Sequence, residues 1–187
     1  MSLQYPSLAE TIPNEVAQVL SRVSPDEVDR LAEALTQSEK VFVIAVGRVF
    51  LALQCLAKRL AHLGLDVQVV GSVTEKPITA RDLLLVASGS GESRLPVEIA
   101  RIAKKHGARL ALITSAETST LKSMADVVVH LPCPTKTNTR QGVTSIQSMS
   151  TLFDQSLHLF GDILSLMLQE KMGLTNEALW SRHANLE

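Results

Sequence analysis

The chain has 187 residues, 18 basic against 19 acidic side chains, a formal charge of −1 and 45% hydrophobic residues. This composition excludes an intrinsically disordered chain and carries no electrostatic signature of a nucleic-acid binder. Aromatic residues make up 3%, too few for the stacking platforms of single-strand binders, and no apolar run approaches the roughly 20 residues that cross a bilayer. Cys55 and Cys133 stand far apart and belong to no four-ligand zinc pattern, so they read as reduced thiols, and neither a metal site nor a disulfide is expected. The start, Met1 to Ala9, has neither a basic flank nor an apolar stretch, and a cytoplasmic location is expected. The length suits one domain over 1–187, with N-terminal helices at 8–38, an α/β core at 40–131 and C-terminal helices at 149–183.

Ile12, Val16, Val19 and Leu20 fall at helical spacing and predict a first helix with Pro13 near its start. Ser24-Pro25-Asp26-Glu27 reads as a capping box with proline at the first helical position, continued by Val28, Leu31, Ala32 and Leu35. From Lys40 the pattern changes to short apolar runs at Val41–Val46, Val67–Val70, Leu83–Ala87, Leu110–Ile113 and Val127–Leu131, as expected for strands buried on both faces. Helical stretches lie between them at Leu51–Leu63, Leu95–His106 and Ser119–Ala125, with Gly64 and Gly107 where helices commonly end. The alternation implies a parallel sheet with right-handed crossovers. Only the link from Val70 to Asp82 reads as a loop. Pro132 to Gln147 is irregular, rich in Thr, Pro and Gly, and long enough to suggest function. A long helix from Met149 to Met172 and a short one from Thr175 toward Trp180 close the chain. Apolar residues face nearly every direction around the long helix, which predicts a homo-oligomer, unless this is the central core helix.

In a five-stranded parallel sheet of order 2-1-3-4-5 the ligand crevice lies at the carboxyl ends of strands 1 and 3. There the sequence places Gly47-Arg48-Val49-Phe50 and Ser88-Gly89-Ser90-Gly91-Glu92-Ser93, the second leading directly into a helix. Small residues and hydroxyls before a helix N-terminus suit a phosphate. No Lys follows the last glycine, which disfavours nucleoside triphosphates, and no dinucleotide fingerprint or acidic ribose ligand is present. Ser88 and Ser90 also lack the spacing of a nucleophile elbow.

The chain resembles the sugar isomerase (SIS) domain, and within it the 6-phospho-3-hexuloisomerases, from Ser24 to Glu187. The resemblance is carried by Gly47-Arg48, His62-Leu63-Gly64, Ser88-Gly89-Ser90-Gly91-Glu92, Thr114-Ser115, Ala125–Val129, Leu152-Phe153 with Gln155-Ser156, and the terminal Arg182-His183-Ala184-Asn185-Leu186-Glu187. It implies a flavodoxin-like three-layer α/β sandwich, a tetramer, and interconversion of 3-hexulose 6-phosphate and fructose 6-phosphate with no metal or organic cofactor. Carried over to this sequence, Ser88, Ser90 and Ser93 are the expected phosphate ligands, with Gly47, Arg48, Gly89, Gly91, Glu92 and Ser115 completing the binding set. The family's general base is a glutamate in the first turn of the long helix, and Asp154 stands there, one methylene shorter. Its place near a helix N-terminus is expected to lower its pKa. Val49 and Phe50 depart from the family's Ser and Gly. His183 is the expected second proton carrier, ahead of His62 and of His158, which lies one turn from Asp154. Two alternatives stand beside this reading: a phosphosugar-binding module without catalysis, and an isomerase of another sugar phosphate.

Overall fold

The structure, a computed structural model, describes residues 4–136 and 138–186. Five parallel strands, β1 (Val41–Ile44), β2 (Val67–Val69), β3 (Leu83–Ala87), β4 (Arg109–Thr114) and β5 (Val127–His130), form one sheet in the order β2-β1-β3-β4-β5. Side chains alternate across it. Val41, Val43, Leu83, Leu85, Ala111 and Val129 face α1 (Tyr5–Leu20), α2 (Pro25–Gln37), α3 (Arg48–His62) and α6 (Thr151–Lys171). Phe42, Ile44, Leu84, Val86, Leu110 and Leu112 face α4 (Arg94–Lys105) and α5 (Thr120–Met124). A last helix, α7 (Asn176–Trp180), precedes the tail. The expected three-layer architecture and strand order are present, and Val70 to Asp82 is a loop.

Four local expectations change. Helix α1 begins at Tyr5 with Pro6 in its first turn, and Pro13 lies inside it on the exposed side. Ser24 is the N-cap of α2, but its side chain makes no capping bond. Glu27 instead accepts the backbone N–H of His130 at 2.8 Å, tying α2 to β5. Arg48, Val49 and Phe50 form the first turn of α3 rather than a loop, with Gly47 at its N-cap at φ 62°. Helix α6 begins at Thr151, because Met149 before it is left-handed at φ 58°.

Buried Asp82 accepts from the Lys40 and Thr79 backbone N–H groups at 3.1 and 2.6 Å and pairs with Lys40 Nζ at 3.0 Å, fixing the amino-terminal edge of the sheet. That edge lies a helix length from the carboxyl edge, where β1 and β3 part and the loops of interest gather. Among the described residues, no helix is long and apolar enough to cross a membrane.

Candidate active site

The turn after β3 is built as a cradle. Ser88 is buried, its hydroxyl accepts the Gly91 N–H at 3.1 Å, and it lies 3.4 Å from the hydroxyl of Ser93. Ser93 is the N-cap of α4 and makes no capping bond of its own, so its hydroxyl is available at a helix terminus that attracts anions. Ser90 accepts the Glu92 N–H at 3.3 Å. Gly91 sits at φ 66°, where a Cβ would collide with the Ser119 side chain, so only glycine closes this turn.

Below the cradle, β4 supplies the buttress. Thr114 Oγ1 donates to Ser88 O at 2.7 Å and the Ser115 N–H donates to Gly89 O at 3.2 Å. Ser115 itself is 1% exposed beneath this turn and lies outside the crevice lining, so its contribution is to hold the loop's backbone rather than to face a ligand. Glu92 also turns away: its carboxylate accepts the Thr120 N–H at 2.6 Å and fixes the start of α5. Ser88, Gly89, Ser90 and Ser93 are the members of the expected set that line the crevice of this turn, whereas the Gly91 N–H is taken up by Ser88.

A crevice of about 160 Å³ opens over this cradle, lined by Ser88, Gly89, Ser90 and Ser93, by Val46 and Val49 across the strand switch point, and by Lys136 and Ser150. Lys136 is the cation that the sequence reading missed. It belongs to the irregular segment after β5, where no periodicity marks which side chains point inward.

Asp154 lies in the first turn of α6 directly after Phe153, whose ring packs where a Cβ on Gly89 would lie, 3.6 Å away. Arg48 Nε donates to Asp154 Oδ2 at 3.0 Å, while the buried Oδ1 has no hydrogen-bond partner among the described residues. Burial pushes the Asp154 carboxyl above the usual range, outweighing the Arg48 hydrogen bond and the positive charges of Arg48 and Lys136. The expected lowering by the helix terminus is thus reversed, because desolvation acts on the whole charge. The same neighbourhood holds Cys133, whose thiol burial pushes up to about 12 against the opposing Ser156 and Ser115 hydroxyls, with Asp154 raising it further. It stays a neutral packing group.

The Arg48–Asp154 pair lines a second, larger cavity of about 720 Å³ between α1, α3 and α6, whose walls include Val16, Leu51, Cys55 and Leu159. Val49, next to Arg48, and Ser150, the N-cap of the helix that carries Asp154, line the crevice, whereas Arg48 and Asp154 themselves line the larger cavity. His158 also lines the larger cavity, but its nearest acid is Asp162 at 3.8 Å rather than Asp154.

His183 lies elsewhere. Its ring stacks on His62 at 5.1 Å and on Trp180 at 5.2 Å, and Arg182 donates to His62 O at 3.3 Å. His62 ends α3 and Arg48 begins it, so about 21 Å of helix separates them. Within its own chain His183 therefore cannot reach Asp154, and neither can His62. Glu187, part of the terminal motif, lies outside the described residues. Among the described residues no cluster of His, Cys, Asp or Glu could hold a metal ion.

Known proteins resemble this chain in sequence and fold. The chain is 42% identical over 176 residues to the 3-hexulose-6-phosphate isomerase of Mycobacterium gastri, covering 94% of this chain and 88% of that one. It is 36% identical over 177 residues to the enzyme of the same name from Bacillus subtilis (strain 168), covering 94% and 95%. A crystal structure from Methanococcus jannaschii, for which a molecular function of 3-hexulose-6-phosphate isomerase was inferred, superposes with a TM-score of 0.83 at 23% identity, covering 97% of this chain and 99% of that one. Residues 34–159, which hold the cradle, its buttress and Asp154, match the model of the SIS domain, and the chain belongs to that family.

Proposed function

We propose that the protein interconverts 3-hexulose 6-phosphate and fructose 6-phosphate, with Asp154 as the base. One observation carries the assignment: a poorly hydrated carboxylate follows Phe153, whose ring packs against Gly89 of the hydroxyl-lined turn, in a chain 42% identical to an enzyme of that name. The phosphate is held by the hydroxyls of Ser88, Ser90 and Ser93 and the free N–H groups at the start of α4, and Lys136 offsets its charge. Asp154 takes the proton from C2 of the 3-ketose, the electron pair forms the C2–C3 enediolate, and the same carboxyl returns the proton to C3. A raised pKa makes it a stronger base once ionised, and Arg48 holds it in that form. Proton movement between the oxygens at C2 and C3 is assigned to His183 of a second copy, since its own chain keeps it at the far edge. A homotetramer is proposed accordingly, with the exposed Leu51, Leu159, Ile163 and Leu166 meeting another copy.

Incubation with fructose 6-phosphate in D2O, followed by NMR, tests this. Deuterium is expected at C3 of the substrate and at C2 of the product, and Asp154→Asn should lower the exchange rate by about 10²–10⁴-fold while phosphosugar binding persists. Binding without exchange by the wild type would instead identify a phosphosugar-binding module, and exchange at C1 would identify a different isomerase.

A further inference from the structure

We propose that Glu15 of α1 is a positioning residue for this reaction, setting the entry of α6 and so the place of Asp154. The inference rests on Asp154 being the base. Glu15 is 5% exposed, beside the buried Val16 and Val19. A carboxylate in such surroundings is costly unless its oxygens are satisfied. Its bonds come from one short segment of the irregular loop: Oε2 accepts from Ser145 Oγ at 2.6 Å and from Gln147 Nε2 at 3.0 Å, and Oε1 accepts the Ile146 N–H at 2.8 Å. The Gln147 amide nitrogen also donates to Gln155 Oε1 at 2.9 Å, and Gln155 follows Asp154 on α6. A chain of hydrogen bonds thus runs from α1 through the loop to the residue beside the base.

The start of α6 needs such support. Its N-cap, Ser150, makes no side-chain capping bond, and the preceding Met149 is held at φ 58°, a conformation costing non-glycine residues about 1–2 kcal/mol. Strain of this kind persists only where neighbouring structure enforces it. Phe153 packed over Gly89 anchors the helix on one side of Met149, and Glu15 anchors residues 145–147 on the other. Glu15 lies outside residues 34–159, so the part of the chain that precedes the family's shared module organises the module's site.

Glu15→Ala, Glu15→Gln and Gln147→Ala should be compared with wild type for isomerisation of 3-hexulose 6-phosphate and, without substrate, by 13C NMR titration of the Asp154 carboxyl. Arg48 on α3, Lys136 and Cys133 in the loop after β5, and His158 on α6 line the same neighbourhood and are unchanged in all three. Because misplacement by about 1 Å can cost on the order of 100-fold in rate, Glu15→Ala should lower kcat by about 10-fold or more, with KM within about threefold, since the cradle belongs to β3 and α4. Glu15→Gln should recover part of the loss, and Gln147→Ala should fall in the same direction by less. The Asp154 midpoint should move down toward the ordinary aspartate range as water reaches it. Unchanged kcat and an unchanged midpoint, with only thermal stability reduced, would overturn the proposal. If Glu15→Ala fails to fold, Glu15→Gln and Gln147→Ala decide it by the same two readouts. A wild-type enzyme inactive on this substrate would overturn the proposed reaction instead, and the NMR titration would then decide the role of Glu15 alone.

Discussion

Removing the charge of a poorly hydrated carboxylate relieves the fold even as it disables the chemistry. The Asp154 pKa is raised by burial, so the folded state favours the protonated form. Its contribution to stability is complete below the unfolded-state pKa and is lost as pH rises through the folded value. Asp154→Asn should therefore raise Tm at neutral pH, by about 2–4 °C for each kcal/mol gained, and the advantage should vanish near pH 3, as paired thermal melts would reveal. Arg48 does not reverse the sign, because its side chain is 68% exposed and rehydrates when unpaired. The acid limb of kcat/KM should likewise lie above the ordinary aspartate range. At this scale the serines stood out in the sequence as hydroxyls set before a helix start, while Asp154 and Arg48 entered through the family resemblance; the structure gathers the serines around one turn and pairs Arg48 with Asp154. The sequence reading misjudged the direction of the Asp154 shift, which depends on what α3 and α6 bury. It also passed over Lys136 and Glu15, whose roles come from contacts between distant segments.

Helices α3 and α6 carry Arg48 and Asp154, and their separation is set at Gly161. A Cβ there would come within 3.2 Å of Leu56 Cβ, so the two backbones approach as closely as they do because the side chain is absent. Alanine gains about 1 kcal/mol of helix propensity to set against a few tenths of an ångström of displacement. Valine adds branches with nowhere to go. Urea unfolding should therefore show Gly161→Ala near neutral and Gly161→Val destabilised by about 1–3 kcal/mol. The presence and type of each element were legible from hydrophobic period, and the ends were not, for identifiable reasons. Pro13 did not start a helix because Pro6 already occupies the first turn. The Ser24 motif did not close into a box because Glu27 found a partner on β5.

Continuous apolar runs made the doubly covered parallel sheet readable across the whole molecule, while its strand order, and with it the crevice, followed from the flavodoxin-like topology that the resemblance implies. Assembly was less readable, because a helix apolar on all sides can face either its own core or another subunit. The structure divides these roles along α6: Leu157, Phe160 and Leu164 are buried, whereas Leu159, Ile163 and Leu166 remain at the surface, Leu166 at 67% exposure. Light scattering should find the wild type as an oligomer, and Leu166→Glu should lower its mass. Activity should fall in parallel if His183 acts across a subunit boundary. A wild-type monomer with full activity would exclude both.

The bond from Glu27 to His130 has a further effect. Helix α2 packs its buried Val28, Leu31 and Leu35 with Val127 and Val129, so the outermost strand on that side is roofed by a helix. At the opposite margin, β2 spans only Val67–Val69. An open ribbon of backbone donors and acceptors invites a foreign strand to extend it, the first step toward fibrils. Here one margin carries a helix and a capped backbone donor and the other offers three residues, so addition of a foreign strand is disfavoured at both.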